Sequence, residues 1–202
     1  YLRIMQGRGD SDARCSSRAS ARNAGSASPF PRPQAAPCVI GDLRHAIARN
    51  ELMLHFQPKL RSASGELAGV EALLRWQHPV RGLVSPVTFI PVAERFGLIG
   101  ELGLWVLDAA CRQANSWMAR GVRPLRIAVN VSAKQLSRSS LAAVVAAILS
   151  DTEFDPRLLE LEITENVFLD GRPEVVRTIE ALRELGVAFA IDDFGTGYSS
   201  LS

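Results

Sequence analysis

The sequence predicts an α/β fold assembled from parallel βαβ units, and three observations carry that prediction. From residue 42 onward, short apolar runs alternate with segments of helical spacing. Asn130, Glu162 and Asp192, which end three of those runs, stand 32 and 30 residues apart, one strand plus one helix each time. Connections of that length require a crossover helix and so pair the strands in parallel. Finally, 202 residues with 47% hydrophobic and 22% charged content suit a soluble globular domain with a packed core.

Residues 1–40 read differently. "SDARCSSRASARNAGSASPFPRPQAAP" is rich in Ser, Ala, Arg and Pro and nearly lacks large apolar side chains. Such a segment cannot bury enough surface to offset its ordering entropy, so a disordered tail or linker is expected there. The folded part is expected to occupy 41–202. It opens with a short helix, "DLRHAIARN", for which Asp42 is the N-cap. "ELMLHFQP" and "ELAGVEALLRW" are two strands joined by a turn at "SASG". "PVTFIPVAERFG" has helical spacing, and the helix after it sets Leu98, Leu102, Trp105, Val106 and Ala109 on one face before stopping at Gly121. "LRIAVNVS" is a buried strand. "LAAVVAAIL" is an amphipathic helix with Leu141, Val144, Val145, Ile148 and Leu149 inward. "LLELEITE" is the next strand. "PEVVRTIEALRELG" is a helix with Pro173 in its first turn and Gly186 at its end, and "VAFAIDD" is the last strand.

Composition narrows the function classes. A net charge of +2 without a concentrated basic surface or interleaved aromatics argues against a nucleic-acid polymer as partner. Cys15, Cys38 and Cys111 are odd in number and form no CxxC pair, which fits a reducing cytoplasm, with Cys111 a small core residue. The apolar stretch Leu141–Leu149 is too short to span a bilayer, and the N-terminus has no signal-peptide pattern; an upstream region could still carry an anchor. His45, His55 and His78 lack partners at metal-ligand spacing and read as surface or core residues, and the three tryptophans read as packing residues.

Strand alternation then sorts the polar residues by face. Asn130 shares a face with Ala128, Glu162 with Glu160, and Asp192 with Ala190 and Ala188, while Ile127, Val129, Leu161, Ile163, Phe189 and Ile191 take the opposite faces. Glu71, Leu73 and Arg75 share one face of the second strand, and Gln57 is a further inward candidate. In open sheets and closed barrels alike, C-terminal strand ends form the ligand site. Each residue alone has a plain explanation: an Asp-Asp pair is a solvated turn, alternating glutamates an exposed edge, and Asn130 a helix cap. Three in phase at equivalent positions of successive units point instead to a shared site, whose hard oxygen donors suit Mg²⁺, Mn²⁺ or Ca²⁺.

"GVEALLRWQHP", "AVNVS", "LELEITE" and "IDDFGTGYSSLS" resemble, in order and spacing, the motifs of the EAL domain, a bacterial phosphodiesterase that hydrolyses cyclic di-GMP. The resemblance covers roughly 42–202 and implies a TIM-type (β/α) barrel. It implies that Glu71, Asn130, Glu162 and Asp192 are metal ligands, that Asp192 bridges two Mg²⁺ or Mn²⁺ ions, and that Asp193 sits on the second. It implies that Arg75 holds a substrate phosphate, that Gln57 contacts the substrate, and that Glu165 anchors the loop 194–200, whose glycines allow it to reposition during dimerisation and activation. The product implied is linear pGpG.

The sequence stops at Ser202, whereas a whole barrel of this type needs about 250 residues. The family's catalytic lysine, a later metal-binding aspartate, a glutamate beside the attacking water and the last strands are expected downstream. The 202-residue chain alone is therefore expected to be inactive, an incomplete barrel. "YLRIMQGRGD" faintly resembles the end of a GGDEF domain, so a GGDEF or sensor domain is an expected neighbour, with homodimerisation through the complete domain. The alternative function is a catalytically inactive EAL-like module that binds cyclic di-GMP or a protein partner.

Overall fold

The computed structural model describes residues 36–192. The expected tail and the loop after Asp192 lie outside the described residues, apart from positions 36–40. Those five belong to helix α1 (Ala36–Ala46), which starts before the expected cap at Asp42. Pro37 is no obstacle, because the first helical turn has no intrahelical N–H bond for a proline to break. Asp42 caps nothing and instead accepts from His78 Nε2 at 3.1 Å.

Strands β1 (Leu52–Leu60) and β2 (Leu67–His78) form an antiparallel hairpin, and the short β3 (Gly82–Val84) folds back on the end of β2. Helices α2 (Pro86–Arg95) and α3 (Ile99–Ala119) lead to β4 (Arg126–Asn130). A short α4 (Ala133–Leu136), then α5 (Leu141–Thr152), lead to β5 (Leu159–Thr164). A short α6 (Glu165–Asp170) and α7 (Pro173–Glu184) precede β6 (Ala188–Asp192). The sheet runs β1-β2-β4-β5-β6 and is parallel from β2 onward, as the βαβ reading requires.

The outer face of this sheet makes the main core. Ile127, Val129, Leu161 and Ile163 are each 3% exposed or less and pack with Val106, Leu107, Val145, Leu149 and Leu182 from α3, α5 and α7. The buried stripe of α3 is wider than its periodicity suggests: Ile99, Leu107, Ala110, Cys111 and Ala114 join Leu102 and Val106, while Trp105 and Ala109 are only half-buried. A helix wedged between the sheet and a neighbouring helix is covered on two sides, so no single stripe describes it. Cys111 is buried, and burial pushes its thiol up to about 12, which makes it an inert core residue. On β6 the apolar face is less covered, with Ile191 39% exposed beside a cavity of about 490 Å³.

A second cluster surrounds Trp76 and Phe89, whose rings meet edge-on at 5.7 Å, and takes in Leu43 and Ala46 of α1. Trp76 Nε1 donates to Glu51 Oε2 at 2.9 Å. His78 Nδ1 accepts from the backbone N–H groups of Val80 and Arg81, so its Nε2 carries the proton given to Asp42. The Asp42–His78 bond fastens α1 to the end of β2. Among the described residues, no helix is long and apolar enough to cross a membrane.

The inner face is concave. Lys59 of β1 meets Glu160 and Glu162 of β5, although β2 and β4 lie between them. Three inter-strand spacings amount to about 14 Å on a flat sheet, and side chains stand nearly perpendicular to it. The contact closes only because the strands curl toward one another, as in a barrel wall.

Gly69 sits where β2 and β4 pair, and a Cβ there would lie 2.5 Å from the Arg126 carbonyl oxygen. Backbone cannot swing aside as a side chain can. Gly69→Ala is expected to destabilise the domain by about 1–3 kcal/mol, measured by urea unfolding. An unchanged midpoint would show that β2 and β4 approach less closely than this.

Candidate functional site

Register gives the site its layout. Glu71 is level with Ala128, and Ala128 with Glu160 and then Ala188. One step nearer the strand ends, Asn130 is level with Glu162 and Ala190, and a further step brings Thr164 level with Asp192. Gln57 lies opposite Glu71. Glu71, Asn130, Glu162 and Asp192 therefore occupy one face, in the phase that alternation predicts. Small residues between them (Ala128, Ala188, Ala190) leave that face open.

Local bonds fix the tips. After Asn130 the chain turns into α4, where Gln135 Oε1 accepts from the N–H of Ser132 at 3.0 Å and from its hydroxyl at 2.9 Å. Gln135 itself is buried against Gly103 of α3, where a larger residue would collide with its amide. Val131 N–H donates to the Glu162 carbonyl at 2.9 Å, tying the end of β4 to β5. Asn130 Nδ2 donates to Glu71 Oε1 at 2.7 Å, so these two predicted ligands are in direct contact.

Two cations that no sequence motif singles out, Lys59 and Arg126, also reach this face. Lys59 Nζ stands 2.7 Å from Glu160 Oε1 and 2.6 Å from Glu162 Oε1, and Arg126 Nη1 stands 3.1 Å from Glu160 Oε2. Lys59 shares the inward phase of Gln57 on β1, which was the signal available. The two glutamates end up unlike. Burial works to raise the Glu160 carboxyl, but the Lys59 and Arg126 bonds outweigh it and hold it below its ordinary range. Burial also raises Glu162; Lys59 opposes, Glu71 and Asp192 add like charge, and its carboxyl stays above its ordinary range. Burial works to lower Lys59, and its two glutamate partners outweigh that and raise it.

Glu162 Oε2 is buried without a hydrogen-bond partner. A carboxylate oxygen in that state calls for a cation or a proton. With Glu71, Asn130 and Asp192 on the same face, the donor set is all oxygen and fits a hard divalent ion such as Mg²⁺ or Mn²⁺. Among the described residues, however, no three His, Cys, Asp or Glu side chains gather closely enough to hold one ion. Arg75 is half-buried on the inner face of β2, donates from Nη1 to the Leu74 carbonyl at 2.8 Å, and lines a pocket of about 300 Å³ with Asn130, Ser132 and Gln135. Gln57 is exposed. Glu165 opens α6 directly after β5. Asp193 and the loop 194–200 lie outside the described residues.

The family model for the EAL domain matches residues 40–202. MucR of Pseudomonas aeruginosa, a bifunctional diguanylate cyclase/cyclic di-GMP phosphodiesterase, is 45% identical over 163 residues, 81% of this chain and 24% of that protein. The cyclic di-GMP phosphodiesterase NbdA of the same organism is 45% identical over 161 residues, 80% of this chain and 21% of that protein. The chain spans about a fifth to a quarter of the length of the curated relatives it matches. Among solved structures, the PaMucR phosphodiesterase in its c-di-GMP complex is similar with a TM-score of 0.76 and 45% identity, covering 81% of this chain and 66% of that chain.

The raised Glu162 carboxyl has a consequence for stability in metal-free buffer. The folded state holds this proton more tightly than the unfolded state, so its ionisation subtracts stability as pH rises above about 4.5. Glu162→Gln keeps the position neutral. It is expected to unfold at a higher temperature than wild type near neutral pH, with the gap closing in acid. A lower midpoint at neutral pH would mean that the Lys59 pairing outweighs burial.

Proposed function

The chain belongs to the EAL domain family, and on that premise we propose that it carries a metal-dependent phosphodiesterase site hydrolysing cyclic di-GMP to linear pGpG in bacterial second-messenger signalling. One observation supports this most: Glu71, Asn130, Glu162 and Asp192 share one concave face, the last three at or near the C-terminal ends of β4, β5 and β6, with Glu162 Oε2 buried and unpartnered. These four side chains, together with Asp193, would hold two Mg²⁺ or Mn²⁺ ions. Divalent ions in such a site supply Lewis-acid chemistry, lowering the pKa of bound water and offsetting charge on the phosphate.

The remaining roles belong to the chain itself. Asn130 orients Glu71 through their 2.7 Å hydrogen bond. Arg75, beside the 300 Å³ pocket, is suited to clamp a substrate phosphate with two parallel N–H bonds. Gln57, opposite Glu71, offers an amide to the substrate on the exposed side. Glu165, which opens α6 directly after β5, keeps the loop-anchoring role that the family resemblance implies. A nucleotide substrate fits a cytoplasmic site, and the same reading includes a homodimer and a GGDEF or sensor neighbour; the paired activities in MucR's name support the GGDEF neighbour.

A second reading is a module that binds cyclic di-GMP without hydrolysing it. What favours it is the spread of the acids, no three of which gather around one point among the described residues.

Turnover by the full-length protein that carries this chain separates the two readings, with cyclic di-GMP as substrate, Mn²⁺ added and pGpG measured by chromatography. Glu71→Ala is expected to lower kcat by more than about a hundredfold through loss of an ion ligand. Arg75→Ala is expected mainly to raise KM, by roughly ten- to a hundredfold, the loss of one charge-assisted bond of about 1.5–3 kcal/mol. Tight nucleotide binding without any pGpG from the wild type would favour the binding module. Full turnover by Glu71→Ala would end the assignment of the strand-end carboxylates.

A further inference from the structure

Lys59 has no part in the roles above, yet its ammonium stands 2.6 Å from Glu162, one of the proposed ligands. It reaches the inner face from β1, just before the register shift between Lys59 and Leu60. Bulges of this kind often re-aim a side chain beside a site. Its ammonium bridges Oε1 of Glu160 and Oε1 of Glu162, and Arg126 takes the other oxygen of Glu160. Glu160 is thus engaged at both oxygens. Glu162 is engaged at one, and its Oε2 alone stays buried and unpartnered.

We propose that Lys59 is the built-in counter-cation of this face: with no divalent ion bound it neutralises Glu160 and Glu162 through their Oε1 atoms, leaves Oε2 of Glu162 open, and competes with an incoming ion for Glu162. The proposal rests on Glu162 being an ion ligand. Two opposed consequences follow. Without an ion, removing Lys59 leaves two buried carboxylates short of a cation, which destabilises the fold. With an ion, removing Lys59 takes away a like charge beside it and frees Oε1, which strengthens binding.

The experiment uses the purified chain with Mn²⁺ as probe. Free Mn²⁺ is followed by electron paramagnetic resonance, and thermal midpoints are recorded in chelator and in Mn²⁺. Lys59→Met, which keeps an unbranched chain without the charge, is expected to melt several degrees below wild type in chelator. It is expected to bind Mn²⁺ about tenfold more tightly and to gain more from added Mn²⁺. Lys59→Arg should restore both values toward wild type. A general loss of structure would weaken ion binding, so tightening separates the counter-cation role from mere support. Should Lys59→Met fail to fold in chelator, Lys59→Gln serves for the affinity measurement. Unchanged or weaker Mn²⁺ binding in the substituted chain, with wild type still binding, overturns the role of Lys59 alone. Absence of Mn²⁺ binding in wild type, matched by Glu162→Gln, overturns the ligand reading and this proposal with it.

Discussion

The parallel register of β2, β4, β5 and β6 is the constraint on which the rest of the structure depends. It sets Glu71, Ala128, Glu160 and Ala188 level, and Asn130 level with Glu162. Because side chains alternate with period two, a slip of one residue in β5 would exchange Glu160 and Glu162 for Leu159 and Leu161. Two leucines now 1% exposed or less would enter the open face, at about 1.5–3 kcal/mol each. Two carboxylates would enter the helix-packed core. The apolar face thus selects the register, and the register places the polar face.

Concentrating acids on one concave surface has an electrostatic cost that the chain offsets unevenly. Glu160 lies deeper and has Lys59 and Arg126 on its two oxygens. Glu162, two residues on, has Lys59 on one oxygen and the charges of Glu71 and Asp192 nearby. The same residue type on the same face therefore ionises readily at one position and reluctantly at the next. Fold stability is better served by the first, and ligand chemistry by the second.

Much of this was legible in the chain. The alternation in Leu-Glu-Leu-Glu-Ile-Thr announced both β5 and its inward face, and the spacing of Asn130, Glu162 and Asp192 announced the repeated unit. What was not legible depends on contacts across several elements. Lys59 was assignable to the inward phase, but its partners follow from sheet curvature, which no local pattern encodes. Asp42 has the chemistry of a helix cap and is used instead by His78, a residue 36 positions away. β3 is three residues long, too short for any period to register.

Strand β1 runs against β2, β4, β5 and β6, so its residues count down the wall while those of these four strands count up. Its hairpin turn, residues 61–66, opens at the floor, exposed and away from the strand ends that carry Asn130 and Asp192. The Arg61–Glu66 backbone bond closes the turn after Lys59, so residues added at its tip would lengthen an outward loop at the opposite ends of the strands from Asn130 and Asp192. The hairpin is accordingly the place where the domain can take up an epitope, a tether or a second module without rebuilding its mouth.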